Sequence, residues 1–575
     1  MEVTTLALWV RAEPFDSGAI HSPLPPKLTL HNLHKLCIYS RSKGKAGFPS
    51  ITYSLWKHVA CNKLGISNDQ AWMYFETFDM LSQSSFKDTR TWKRQCLHCK
   101  TQEEIENLRD LMSVDTLQFL LFLFIQQIHK ISFKASLVSG GEEWPTHSRS
   151  PDLDHKGSIA IKSLDEHDYM MFILHHLNEI LELLMEPEST MNSNTSESCL
   201  TLEAVDALGF LFVGTVDGKK VQPLEELARI QSETSKSGYS KICRTFSFRH
   251  FQSWLRSNLE ANPFGVSAIL SHGSKHKADI LSLSDTFDDH SIVKHKESDN
   301  KDPSLKGRIM SNVIYAPKNL KLVIMSQVCK QTVAKASDIY AGSDVKIHRC
   351  HYSYLYILCP LRSVTVQKCH NSTIVLGCVK TLVNIIGCEN VTFVMVCNRV
   401  AISACVNCTF HLCCPTRPLI LTGNENLTLA PYHTFYPKLE EHLKSEWGVT
   451  TTTNEWNRPL LLGNGHSEIL EVQDPPDVYR ELPVQEFFTF NIPFNMKGST
   501  EASPIPLPEK YEDALQEREN VINNWYQMVK NLSLNKPQRQ QLQSVVQNRF
   551  QEWLAESNEA SQLNGLVPSA HTSKH

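Results

Sequence analysis

Four pairs of cysteines share one spacing. Cys350 with Cys359, Cys369 with Cys378, Cys388 with Cys397 and Cys405 with Cys414 each stand nine residues apart, and the first members recur at intervals of 19, 19 and 17. A fixed period near 20 marks a solenoid, a chain whose units bury apolar surface only by stacking on one another. Read outward from each first cysteine, the segments are Cys369-His-Asn-Ser-Thr-Ile-Val-Leu, Cys388-Glu-Asn-Val-Thr-Phe-Val-Met and Cys405-Val-Asn-Cys-Thr-Phe-His-Leu. Asn424-Glu-Asn-Leu-Thr-Leu loses the cysteine and keeps the rest. Asn371, Asn390, Asn407 and Asn426 therefore form one column, and Thr373, Thr392, Thr409 and Thr428 form another. Asparagine tolerates the left-handed backbone of a tight corner, and stacked amides bond between layers. The runs that follow are short and rich in Val, Ile, Thr and Phe, which suits strands of about 4 to 8 residues. The expected structure is a parallel β-helix with Ile, Val, Phe and Cys directed inward.

Eleven of the 17 cysteines lie between Cys329 and Cys414, so their chemistry needs a reading of its own. Coils about 4.8 Å apart leave disulfides geometrically open. The start of the chain, with Glu2 and a short Leu6 to Val10 patch before Arg11, carries no secretory signal, so a reducing compartment and buried free thiols are expected. The same reasoning reads the four Asn-x-Thr matches as structural corners and not as glycosylation acceptors. Cys96-Leu-His-Cys99 is a lone CxxC without a second pair at finger spacing, and no metal site is assigned to it.

Composition excludes two further classes. Lys and Arg number 57 against 61 Asp and Glu, a net charge of -4, which is not the field of a dedicated nucleic-acid binder. The most apolar run, Phe119 to Ile125, is bounded by Gln118 and Gln126, far short of the roughly 18 apolar residues of a transmembrane segment. Within the coils the acids after Val345 are Glu389 and Glu425, at one repeat offset and so about 9.6 Å apart. That separation touches the upper edge of an inverting glycosidase, but one sparse pair with Val406 between is a weak catalytic centre. No Walker loop, HExxH or nucleophile elbow occurs. Catalytic, cofactor-binding and metal-binding residues are all read as none.

Cys388-Glu-Asn-Val-Thr-Phe, followed by Cys405-Val-Asn-Cys-Thr-Phe-His-Leu-Cys-Cys-Pro-Thr-Arg-Pro-Leu-Ile, resembles the C-CAP/cofactor C-like domain of tubulin-folding cofactor C and of the retinitis pigmentosa 2 GTPase activator. The runs Leu8 to Phe15, Ser113 to Phe124 and Thr416 to Leu421 extend the resemblance to one branch of that family over nearly the whole chain. In the GTPase-activating members an arginine four positions before the aligned cysteine completes the partner's site. Aligned on Cys405, that position here is Ala401, whose methyl group cannot neutralise phosphoryl charge. Arg399, two residues earlier on the same strand face, is a displaced candidate shifted by about 6 to 7 Å and is read as a surface residue. Lys346, Arg349, Arg362, Lys368, Lys380, Arg399 and Arg417 against two glutamates give the Val345 to Ala430 segment a charge of +5 (7 minus 2), which can steer an acidic partner such as a tubulin tail.

The resemblance implies a non-enzymatic protein of the cytoplasm, cytoskeleton, centrosome and spindle poles that regulates centrosome and Golgi positioning, cell shape and migration. It implies centrosomal or microtubule-associated partners, with tubulin or a small GTPase as candidates, and no nucleic acid. The competing function is GTPase activation for tubulin or an Arf-like GTPase.

The fold class expected is mixed α and β. Residues 1–270 read as a helical region, with helices over Leu164 to Met185 and Lys241 to Glu260, where His175 and His176 are packing or surface residues. Residues 271–306 read as a flexible linker, with further polar breaks at Gly140 to Ser158 and Pro187 to Ser198. The β-helix occupies 307–446, capping strands and loops 447–508, and a helical hairpin 509–558. Tyr511, Leu515, Ile522, Trp525, Val529 and Leu532 line the first tail helix and Leu542, Val545, Val546, Phe550, Trp553 and Leu554 the second, and the hairpin is expected to pack on the body, with binding to a partner helix as the alternative.

Overall fold

The computed structural model describes residues 6–20, 24–82, 102–128, 164–186, 198–216, 220–230, 236–262, 308–312, 322–445, 448–451, 453–462, 478–532 and 534–557. The 271–306 linker, the 140–158 break and the Cys96–Cys99 pair lie outside them. The chain divides into two compact units, one centred on Met1–Ala278 and one on Lys321–Leu462 with Leu470–His575.

In the first unit helices predominate, and their starts follow from side-chain caps. The hydroxyls of Thr29, Thr52, Ser67 and Thr201 accept from backbone N–H groups three residues on, satisfying donors that the first helical turn leaves open. The apolar run becomes the helix Thr116–Ile125, buried on every side, as a helix without a polar face must be. Trp56 and Phe78 pack on Phe119 at ring-centroid distances of 5.0 and 5.4 Å. Helix Leu164–Leu184 forms where the apolar spacing predicts it, and His176 there meets Glu179 at 2.6 Å. The unit is not purely helical, however. Leu6–Val10, Phe212–Val216 and Lys220–Pro223 make an antiparallel sheet, as do Cys199–Thr201, Thr245–Ser247 and Tyr239–Ser240. The last of these strands take the start of the expected Lys241 to Glu260 helix, which begins only at Phe248.

The second unit is a parallel β-solenoid. One face stacks Leu322–Ser326, Ser343–His348, Leu361–Gln367 and the later halves of Thr373–Ile386 and Thr392–Ser403. The other stacks Thr332–Lys335, Tyr354–Ile357, the earlier halves of those two long strands, Thr409–Cys413 and Leu427–Pro431. Thr373, Thr392, Thr409 and Thr428 pair in register, so the threonine column is a true ladder. Inside, Val345, Val364, Val383 and Val400 form one buried column. Facing it, Ile374, Phe393, Phe410 and Leu429 form another, with the two phenyl rings stacked 5.1 Å apart. Each such side chain contributes about 1.5–3 kcal/mol through burial.

At the asparagine corner each coil carries two left-handed residues three positions apart. Asn371, Asn390, Asn407 and Asn426 occupy the second of them with φ between 47° and 53°, and Lys368, Gly387, Ala404 and Gly423 the first. The amides stack as well, with Asn426 Nδ2 donating to Asn407 Oδ1 at 2.6 Å.

Residues beyond the coils do two jobs. Leu460–Leu461 and Tyr479–Glu481 add strands to the final coil, while Trp456, Phe487 and Tyr511 close the apolar interior there. A second apolar cluster lies outside the coils, where Tyr432, Tyr436 and Leu439, with Phe490 and Phe494 packed against them, cover Tyr356, Val375 and Val394. Among the described residues no helix is long and apolar enough to cross a membrane.

Candidate functional site

The position that matters most for GTPase chemistry lies on strand Thr392–Ser403. Val400 and Ile402 point into the core, which turns Arg399 and Ala401 to the opposite face. Ala401 pairs with Asn384 on one side and Leu419 on the other, and Arg399 pairs with Leu382. Contrary to the expectation of a surface residue, Arg399 is only 2% exposed and Ala401 7%. The Pro415–Pro418 segment is tied down beside them, with Thr416 Oγ1 donating to Asn398 O at 2.7 Å and Arg417 donating to the carbonyls of Arg458 and Pro459. A transition-state arginine must reach out to another protein's phosphate, and a guanidinium at 2% exposure does not.

The basic surface is also smaller than the residue count implies. Arg362 forms a paired ion bridge with Asp344, which lies just before the counted segment, and Arg399 is buried. Arg349 and Lys368 remain as exposed cations at adjacent corners. His348 is pushed down to about 4, first by burial and then by these two cations.

The acids keep their predicted alignment. Backbone bridges run from His351 to His370, Glu389, Val406 and Glu425 in one file, so Glu389 and Glu425 stand two coils apart with Val406 between. His370 Nδ1 lies 3.4 Å from Glu389 Oε2, and the His351 and His370 rings stack at 5.1 Å. No cluster of three or more potential metal ligands occurs among the described residues.

The described cysteines are all free, and the corner column is buried: Cys350, Cys369, Cys388 and Cys405 follow one another up the solenoid. The thiol of Cys388 is pushed well up by its contacts with Cys369 and Cys405 and by burial. The second column is a correction. Cys359, Cys397 and Cys414 face the interior, but Cys378 belongs to the outer cluster with Cys413. The ladder slips between Val375 and Cys378, so Val379, not Cys378, pairs with Cys397, and a one-residue slip turns a side chain to the other face.

Residues 342–460, which span these coils, match the family model for tubulin binding cofactor C. TBCC domain-containing protein 1 of Bos taurus is 43% identical over 581 residues, covering 100% of this chain and 99% of its own length. The Homo sapiens protein of that name matches equally, and the Danio rerio one is 41% identical over 583 residues. The chain belongs to the TBCC domain-containing protein 1 family. This member of the TBCC domain-containing protein 1 family places its domain match on the coils that carry Ala401, Arg399 and the thiol ladder. Two features escape a reading of the sequence alone: the first left-handed column, whose Lys, Gly and Ala share no side-chain signature, and the buried ring pair His411 and His433.

Proposed function

We propose that the protein is a non-enzymatic cytoskeletal scaffold, acting at the centrosome and spindle poles and regulating centrosome and Golgi positioning, cell shape and migration. Membership of a tubulin cofactor C-like family supports a cytoskeletal role, and tubulin-related or other microtubule-associated proteins are the partners that fit it. The observation that carries the non-enzymatic part is Ala401, with the nearby Arg399 buried at 2% exposure. Without an extended cation at the aligned position, the domain lacks there the arginine that would stabilise a phosphoryl transition state.

The competing reading, GTPase activation by a displaced arginine, draws on Arg399 sharing a strand face with Ala401. Single-turnover GTP hydrolysis by tubulin and by Arf-like GTPases, with and without the full chain, decides between them. The expected result is no stimulation. Strong stimulation that Arg399→Ala abolishes, with the variant still folded by circular dichroism, overturns the scaffold reading. Proximity labelling in cells with the solenoid and the tail deleted separately tests the centrosomal role; labelling without centrosomal proteins in the full-length sample contradicts it.

A further inference from the structure

Charge divides along the asparagine corner of the solenoid. In the first left-handed column Arg349 and Lys368 are followed by Gly387, Ala404 and Gly423, and in the second Lys330 and Tyr352 are followed by asparagines. Between the columns runs the file of His351, His370, Glu389, Val406 and Glu425. The early coils therefore gather three cations and two imidazoles at one end of this corner. The later coils place both glutamates at the other.

Backbone bonds fix the spacing of the cations. Arg349 N donates to Gln367 O and Lys330 N to His351 O, both at 3.0 Å, and Tyr352 N donates to His370 O at 3.1 Å. Arg349 and Lys368 thus stand one coil apart, about 4.8 Å at the backbone, with Lys330 across the corner. All three are exposed. Ion pairs in these coils take Arg362 with Asp344 and His370 with Glu389, and among the described residues none includes Lys330, Arg349 or Lys368. The charge of Arg349 bears on both His348 and His351, and that of Lys368 on His348, so the two cations crowd one small area. Like charges held this close repel, and a shared anion relieves them.

We propose that this corner binds the phosphate of a phosphoserine or phosphothreonine on a partner protein, held by Arg349 and Lys368 with Lys330 opposite. Such a group carries about -1.5 to -2 charge and three acceptor oxygens, which suit a guanidinium fork beside an ammonium. A compact dianion fits better than a long acidic tail. Laid along the corner, a run of carboxylates would pass from the cations onto Glu389 and Glu425. A membrane surface calls for a cluster of about 4 to 8 basic residues, and a nucleic acid for more phosphate contacts than three cations supply. The short phosphorylated side chain also keeps the partner's backbone near the corner, where Tyr352, 58% exposed, offers its flanking residues an apolar surface. The assignment concerns the partner's chemistry and holds wherever in the cell the protein acts.

Fluorescence anisotropy of the full chain with labelled peptide libraries tests the proposal. One library fixes phosphoserine and another phosphothreonine among degenerate neighbours, and their twins carry the unmodified residue. The phosphorylated libraries are expected to bind about tenfold or more tightly than their twins, and less tightly as salt is added. Arg349→Gln with Lys368→Gln removes both charges at exposed positions and is expected to cost that binding about tenfold or more, with the circular dichroism spectrum and unfolding temperature kept. Equal binding of modified and unmodified libraries, or no binding of either, overturns the proposal. So does a double variant that binds the phosphorylated libraries as the wild type does. Vesicles of phosphatidylcholine and phosphatidylserine in equal amounts supply the last arm: a chain that binds them through Arg349 and Lys368 while ignoring the phosphorylated libraries has a membrane contact there, and the proposal fails.

Discussion

His411 and His433 stack face to face, their ring centroids 3.6 Å apart and their planes within 6°. The pair is buried beside Phe487 and Phe490, so neither ring can take a proton cheaply. Burial pushes His411 down to about 4, and burial followed by the charge of His411 pushes His433 down further. The sign follows directly. Above about pH 6.5 both states hold neutral histidine and the stability is full; as pH falls towards 4 the unfolded chain binds protons that the folded one refuses, and stability is lost. For His411 alone the loss by pH 4 is on the order of 2–3 kcal/mol. Urea midpoints measured between pH 7 and 4.5 should therefore fall more steeply for the wild type than for His433→Phe, which keeps an aromatic ring in the stack. Equal slopes would mean that the pair is not buried neutral.

Ala404 holds φ at 51°, in a column whose neighbours above and below are Gly387 and Gly423. A left-handed alanine costs about 1–2 kcal/mol, while a glycine gives back about 0.4–1 kcal/mol through its freer unfolded chain. Ala404→Gly is expected to stabilise the protein by roughly 0.5–1 kcal/mol. In the neighbouring column Asn390→Ala, at φ 53°, is expected to destabilise it by about 1 kcal/mol. Thermal unfolding of the two variants should move in opposite directions, and a shared direction would refute the account.

The coil period is legible in the sequence because each corner asks for the same backbone: Asn390 and Asn407 sit where a left-handed residue is needed, and Thr392 and Thr409 begin the strands that follow. Spacing alone does not reveal where a coil gains or loses a residue, which is why Cys378 leaves the column to which its nine-residue interval assigns it. The burial of Arg399 is likewise beyond strand alternation, which says only that the side chain leaves the core and not what tertiary neighbours then surround it. The tail differs in the other direction. Its apolar seam reads as a packing face, yet beyond Arg518 much of that face stays exposed.

Gly377 lies close against the backbone of the preceding coil. A Cβ there would stand 2.3 Å from the carbonyl oxygen of Cys359 and 2.9 Å from its carbon, both backbone atoms that cannot swing aside. Gly377→Ala is therefore expected to cost about 2–3 kcal/mol, whereas alanine at Gly44, where nothing lies within 4 Å, meets no such contact and pays only for its left-handed backbone. Chemical denaturation separates the two: a Gly377→Ala midpoint equal to wild type would show that the coils can part at this point without loss.

The thiols offer a direct check on the solenoid interior. Cys199 and Cys243 are exposed and Cys61 and Cys329 partly so, while the cysteines from Cys350 to Cys414 are buried. Burial raises the thiol of Cys378 to about 12, and the same cause acts on Cys397 and Cys413, so at these three the reactive thiolate is scarce as well as inaccessible. A thiol-specific reagent such as Ellman's should label Cys199 and Cys243 quickly in the native protein, and the solenoid cysteines only at the rate of unfolding. In urea every one of them should react without prior reduction, since none is bridged. Mass spectrometry of the labelled peptides assigns each site. Fast native labelling of Cys388 or Cys405 would mean that the coils open far more readily than a continuous apolar column allows, and a missing label in urea would reveal a disulfide.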